Sequence, residues 1–159
     1  MNVREVMTPN PRTCQPNSTI QDAALIMRDE DTGAVPVVEG GRVIGMVTDR
    51  DIVVRAVADG GEIERVTARQ VMSASVLYCY ESDNVAAVLR NMGENQVRRL
   101  PVVDRDKRLV GVVSLGDLSR AAHEKASGSA LREISEKPVE TPPGPRTRRS
   151  REDAQHSRV

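Results

Sequence analysis

Tryptophan and phenylalanine are absent from the 159 residues, and the only aromatics are Tyr78 and Tyr80. A core must therefore be built from Val, Ile, Leu, Met and Ala. A single-stranded nucleic-acid platform that stacks bases on several rings is nearly excluded. An excess of either charge is also missing, since 23 Lys+Arg balance 23 Asp+Glu. Proteins held to nucleic acid by phosphate contacts are usually basic overall, so no nucleic-acid partner is expected. Cysteine is scarce: Cys14 and Cys79 stand alone, neither in a C-x-x-C pair. That argues against a disulfide framework or a cysteine zinc site. The two histidines, His123 and His156, fall near and in the C-terminal stretch, so no metal site is expected. No apolar run approaches the ~18–20 residues that cross a bilayer. The opening Met1-Asn2-Val3-Arg4-Glu5 has no signal-peptide core. A soluble, cytoplasmic protein with no membrane partner is the expectation.

What the chain does contain is a copy of itself. Shifted by 65, Arg4-Glu5-Val6-Met7-Thr8 falls on Arg69-Gln70-Val71-Met72-Ser73, Cys14 on Cys79, Met27 on Met92, and Pro36-Val37-Val38 on Pro101-Val102-Val103. One extra residue then moves the offset to 66, where Arg42–Thr48 meets Arg108–Ser114 and Asp51 meets Asp117. Identities number 13 of 53 from Arg4 to Ala56, against roughly three expected from average composition. They cluster in blocks, the signature of an internal repeat.

Each copy reads alike. A short Val-Met-Thr/Ser segment leads into extended residues near Cys14 or Cys79. A helix follows, with its apolar face on Ile20, Ala23, Ala24 and Met27 or on Val85, Val88, Leu89 and Met92, spaced i, i+3, i+4, i+7. Ser18 or Thr19, and Asp83 or Asn84, are suitable N-caps. Two apolar runs around a tight turn then predict a hairpin: Ala34–Val38 with Val43–Val47, and Leu100–Val103 with Leu109–Val113. A second helix begins after Thr48 or Ser114. The fold class is α+β, two β-α-β-β-α repeats packed sheet to sheet with pseudo-twofold symmetry. The predicted domains are 1–64 with a Gly60-Gly61 linker, 65–126, and 127–159. The last holds a short helix through Leu131 and Ile134, then a disordered tail rich in Pro and Arg.

The pattern Gly45-Met46-Val47-Thr48-Asp49-Arg50-Asp51 recurs as Gly111-Val112-Val113-Ser114-Leu115-Gly116-Asp117. A hydroxyl followed three residues later by an Asp at a helix start resembles a capping box, a purely structural role. The same geometry also serves a ligand. A helix start offers unpaired amides and a hydroxyl to a phosphate, and the carboxylate one turn on accepts from ribose hydroxyls.

On these residues, with Val6-Met7-Thr8, Val71-Met72-Ser73 and the Pro-Val-Val strands, the chain resembles a tandem pair of cystathionine-β-synthase (CBS) domains, or Bateman module. The likeness covers about residues 1–126, and Thr48-Asp49-Arg50-Asp51-Ile52 is similar to small stand-alone bacterial members. The resemblance implies two clefts for adenosine compounds: AMP, ADP, ATP, S-adenosylmethionine, NAD forms or cyclic di-AMP. One cleft would use Thr48 for phosphate, Asp51 for ribose, Arg50 for phosphate charge and Met46 against the base, facing Ser73, Tyr78, Val97, Arg98 and Arg99. The other would use Ser114, Asp117 and Val112, facing Thr8, Thr13, Thr32, Gly33 and Ala34. The clefts differ, because Leu115-Gly116 replaces Asp49-Arg50. The Thr48/Asp51 cleft is therefore expected to hold phosphorylated ligand more tightly, although Arg98 equally fits the Ser114 cleft or an exposed strand end. Tyr78 either stacks on adenine or, with Tyr80, covers a sheet edge. Cys14 and Cys79 are expected in the core.

The implied function is regulatory: a nucleotide-sensing module that changes conformation or dimer state and informs a downstream protein. The resemblance also implies a homodimer through helices such as those of Ala23/Met27 and Val88/Met92. The alternatives are a structural dimer with degenerate clefts and, less favoured, a nucleotide-hydrolysing enzyme. No catalytic residue and no obligatory cofactor are expected.

Overall fold

The structure, a computed structural model, describes residues 1–122 and, beyond them, 128, 132 and 134. Apart from those three positions, the expected tail and both histidines lie outside the described residues. In chain order, β1 (Thr8–Pro9) precedes α1 (Ile20–Asp29), β2 (Ala34–Glu39), β3 (Arg42–Thr48) and α2 (Asp49–Asp51). After α2 the helix widens into a π-helical stretch, Ile52–Val57, in which the Ala58 amide reaches back to the Val53 carbonyl at 3.0 Å. The second copy comprises α3 (Ala68–Val71), β4 (Cys79–Tyr80), α4 (Val85–Glu94), β5 (Arg99–Val103), β6 (Leu109–Ser114) and α5 (Leu115–Ala121).

The helices begin and end for local reasons. Thr19 caps α1 in a reciprocal box with Asp22, and Asn84 caps α4 by accepting from the Ala86 amide at 3.0 Å. Both helices close alike. Asp31 (φ 48°) and Gln96 (φ 54°) take the left-handed conformation. The amides of Thr32 and Val97 then donate back to the carbonyls of Met27 and Met92, each at 3.0 Å, a Schellman ending. Each strand that follows is thus aimed the same way in both copies. The apolar face of α4 is buried as its spacing predicts, at Val85, Val88, Leu89 and Met92. On α1 the expectation fails at one position: Ala24 is exposed, and Ile26 is buried beside Ile20, Ala23 and Met27. Ala24 and Ile26 flank the stripe on opposite sides, and the larger side chain takes the core.

Two cores result, and each repeat completes the other's. Val3, fully buried, joins Cys79, Val85, Leu89, Met92, Leu100, Val113 and Leu118 in the second core, while Ala68 and Val71 join Cys14, Ile20, Val35 and Val47 in the first. Burying one Val side chain contributes about 1.5–3 kcal/mol, so the crossed segments act as anchors. β1 likewise pairs with β6 of the other copy, giving the sheet order β1-β6-β5-β4 beside the β2-β3 hairpin.

Backbone pairings come in matched sets. Thr8 pairs with Val112 as Ser73 pairs with Met46, Asn2 with Asn84 as Thr67 with Thr19, and Cys14 with Val37 as Cys79 with Val102. Arg42 pairs with Arg108, its own counterpart in the repeat, which puts that bridge on the pseudo-twofold axis. Even the strand irregularity is duplicated, at Val37/Val38 and Val102/Val103. Cys14 and Cys79 are buried thiols, and burial raises the pKa of both, that of Cys79 to about 12. Among the described residues no helix is long and apolar enough to cross a membrane.

Candidate functional site

The glycine of the recurring pattern has a steric cause. A Cβ on Gly45 would overlap Met72 Sδ, and one on Gly111 would lie 2.5 Å from Met7 Sδ and 3.0 Å from the Thr8 carbonyl oxygen. The Val-Met-Thr/Ser segment of one copy thus docks on the bare backbone of the other. The contact falls one residue before Met46 or Val112 pairs with Ser73 or Thr8, and so lies beside the strand that leads to the hydroxyl.

Both hydroxyls cap helices. Thr48 Oγ1 accepts from the Asp51 amide at 3.1 Å, and Asp51 Oδ2 accepts from the Thr48 amide at 2.9 Å. Ser114 and Asp117 repeat this at 3.1 and 2.9 Å, and the Ser114 hydroxyl also donates to Asp117 Oδ2 at 2.7 Å. The remaining carboxylate oxygens face arginines: Asp51 Oδ1 lies 3.9 Å from Arg55 Nε, and Asp117 Oδ1 2.5 Å from Arg120 Nη2. The structural role of the pattern is therefore realised in full, with each Asp presenting one oxygen beyond its cap.

Ser114 and Asp117 head a cavity of about 220 Å³. Thr8, Thr32, Ala34 and Val112 line it as expected, together with Pro11, Arg12, Ile26, Glu30 and Asp31. Walls from both repeats meet there. Thr13, an exposed residue, and Gly33 are not among its lining residues. Gly33 lies alongside it, its carbonyl accepting from the Asp49 amide at 3.1 Å. Arg99, expected opposite Thr48, instead lines the Ser114 cavity. The cause is strand register: Arg99 stands directly across from Ser114 in the β5–β6 pair, and cross-strand partners share a face. A Cβ on Gly33 would lie 2.9 Å from Asp49 Oδ2 and 3.4 Å from Arg99 Nη1, so both charged groups converge on that glycine.

At the other hydroxyl, Met46 is buried and exchanges backbone hydrogen bonds with Ser73 at 3.2 and 3.0 Å. Val97 packs against the second core. Arg98 is exposed, and its carbonyl accepts from the Leu115 amide at 2.9 Å, the counterpart of the Gly33–Asp49 bond. Arg50 is exposed, its amide donating to Asp49 Oδ1 at 2.8 Å. Tyr78 is exposed and meets Tyr80 edge to face, ring centroids 5.7 Å apart. A hydrogen bond with Tyr78 raises the Tyr80 phenol above its ordinary pKa. Arg12, Glu30 and Asp31 went unmarked in the sequence because only the Schellman turn after α1 and the loop before Cys14 bring them to the cavity.

A CBS domain matches residues 3–57 and again 68–124. The chain belongs to the CBS-domain family, as a tandem pair. It is similar to the CBS domain-containing protein YhcV of Bacillus subtilis, with 40% identity over 134 residues covering 84% of this chain and 94% of YhcV. Among solved structures, CBSX2 in complex with AMP aligns with a TM-score of 0.66 at 27% identity, over 76% of this chain and 94% of CBSX2. The CBS domain pair of MJ0100 in complex with 5′-methylthioadenosine and S-adenosyl-L-methionine aligns with a TM-score of 0.68 at 29% identity, again over 76% and 94%. The expected family and α+β pair architecture are thereby established, and the matched family model does not itself indicate a catalytic family.

Proposed function

We propose that this CBS pair is a regulatory module that binds an adenine nucleotide or a related adenosyl compound and answers by changing its conformation or its association with a second copy. The observation that carries the reading is the cavity at Ser114 and Asp117, walled by both repeats, in a fold whose relatives CBSX2 and MJ0100 hold AMP, 5′-methylthioadenosine and S-adenosylmethionine. A ligand that bridges the repeats has different contacts in open and closed arrangements, and only such differential affinity shifts a conformational equilibrium. In this reading Asp117 and Asp51 accept from ribose with the oxygen not used in capping, displacing Arg120 or Arg55. Ser114 and Thr48 meet the 5′ substituent, and Val112 or Met46 packs on the base. Arg50, Ser73, Tyr78 and Arg98 border the Thr48 cleft.

The proposed assembly is a homodimer, and the module has no catalytic step of its own. The named faces of α1 and α4 are consumed inside the two cores. Among the described residues the π-helical stretch holds three neighbouring exposed apolar side chains, Val53, Val54 and Val57, which are 58%, 49% and 50% exposed. A cytoplasmic site of action and an unidentified downstream protein complete the reading.

A structural dimer with degenerate clefts is the second reading, supported by the capping bonds that already engage both aspartates. Titration calorimetry with AMP, ATP, S-adenosylmethionine and NADH decides between them. Saturable heat with at least one compound, lost in Asp117→Ala or Asp51→Ala, is the expected result. No heat with any of the four leaves the structural dimer.

A further inference from the structure

The two segments that cross between the repeats are fastened differently. Thr8 and Pro9 pair with Val112 and Gly111, and the Asn10 amide donates to the Val110 carbonyl at 3.1 Å. Ser73 meets Met46 in an isolated bridge, and residues 74–78 lie outside any strand. A side chain reinforces this second crossing. Arg55 Nη1 donates to the Val71 carbonyl at 3.0 Å and to the Met72 carbonyl at 3.3 Å, on the two residues that lead into Ser73. The same guanidinium places Nε 3.9 Å from Asp51 Oδ1, the carboxylate oxygen not used in the cap.

The second copy is built otherwise. Ala121, whose side chain has no donor, is the counterpart of Arg55. The arginine there stands one place earlier, and Arg120 Nη2 goes to Asp117 of its own copy at 2.5 Å. The helices differ too. Arg55 lies in the π-helical stretch, whereas α5 is α-helical from Leu115 to Ala121. π-helical turns are rare and often accompany functional sites.

We infer that Arg55 is a positioning residue of the Thr48 cleft. It holds the wall contributed by the second repeat, which begins at Ser73, against the strand that ends in Thr48. This deepens the adenosyl-binding reading and rests on it. Removing Arg55 has two opposed effects: Asp51 loses a competitor for ribose, and the wall loses its fastening. At 3.9 Å the contact with Asp51 is too long for a hydrogen bond, and the Arg55 side chain is 50% exposed, so that ion pair is weak. The bonds to the carbonyls are charge-assisted and stronger. The wall therefore decides, and binding at Thr48 suffers.

Amide hydrogen exchange of the full chain without ligand tests the fastening. The Met46 and Ser73 amides, which bond to each other's carbonyls at 3.2 and 3.0 Å, report the Arg55-braced crossing, and the Asn10 amide reports the other. Arg55→Met is expected to speed exchange of the first two at least tenfold and that of Asn10 less than twofold. Calorimetry with AMP tests the positioning. Asp117→Ala leaves the Thr48 cleft to report, and Asp51→Ala leaves the Ser114 cleft. Adding Arg55→Met is expected to weaken AMP at least fivefold in the first background and less than twofold in the second. A residue that only adds stability moves both clefts or neither. Circular dichroism melting checks that each variant folds; Arg55→Gln, still polar but too short for the fork, and Asp117→Asn, which keeps an oxygen for the cap, replace any that do not. Equal exchange rates at Met46 and Ser73 in parent and variant, equal weakening of AMP in both clefts, or no AMP binding in the Asp117 variant overturns the inference and leaves adenosyl binding at Ser114 standing. Silence from AMP, ATP, S-adenosylmethionine and NADH in the unmodified chain removes the adenosyl reading, and this inference with it.

Discussion

Met72 occupies the space that a side chain on Gly45 would need, and Met7 does the same above Gly111. The recurring glycine and the recurring methionine are therefore one lock, each half contributed by a different repeat. Gly45→Ala and Gly111→Ala are each expected to destabilise the protein by about 1–3 kcal/mol through overpacking, measured by urea unfolding. Met72→Ala combined with Gly45→Ala should cost less than the sum of the two single changes, because the shortened side chain makes room for the new methyl.

The capping boxes predict a separation of effects at the pattern's hydroxyls. Thr48→Ala and Ser114→Ala remove an N-cap acceptor, and each should lower stability by about 0.5–2 kcal/mol. Thermal unfolding followed by circular dichroism, with and without AMP, reads this. If the hydroxyls also meet ligand, the stabilisation conferred by AMP shrinks in at least one variant. If they only cap, the shift in melting temperature on adding AMP is the same as in the parent.

Cys79 ties stability to alkaline pH. Its thiol is raised from the ordinary 9.0 to about 12, first by burial and next by the negative charge of Asp83. The folded chain holds this proton where the unfolded chain gives it up. The contribution is intact below about pH 9 and declines as pH rises toward 12, by at most about 1.4 kcal/mol per pH unit. A Cys79→Ala variant should show a flatter loss of stability in that window. Iodoacetamide should modify neither Cys14 nor Cys79 at pH 8 until the protein is unfolded.

The exposed valines predict where association is sensitive. Val53→Asp or Val57→Asp should shift the protein toward monomer in sedimentation velocity while leaving its melting temperature within a few degrees. A Leu25→Asp change on the outer face of α1 is the comparison: an equal loss of dimer there would move the interface to the long helices.

Much of this architecture was legible in the residues. The spacing of Val85, Val88, Leu89 and Met92 specified the buried face of α4, and Pro36-Val37-Val38 with Pro101-Val102-Val103 marked the hairpins. Local patterning was blind to longer-range choices. Ala24 and Ile26 are both apolar neighbours of the stripe, and only the position of the sheet decides between them. Nothing near Thr8-Pro9 says that a two-residue strand will pair with Val112, more than a hundred positions away; that crossing was implied by family resemblance alone. Arg99 looked like a partner of the Thr48 cleft until strand register set it across from Ser114. Glu30 and Asp31 carry no mark in the sequence, because cavity walls assembled from distant segments leave no periodic trace.

The anchoring of Val3 among residues as late as Leu118 also bears on how the protein is made. The segment around Val3 has no home until the chain through Leu118 has been made, so a stretch synthesised well before its partners settles after them. Severing it with a protease after maturation would leave a hole in the half of the molecule to which it does not belong by sequence.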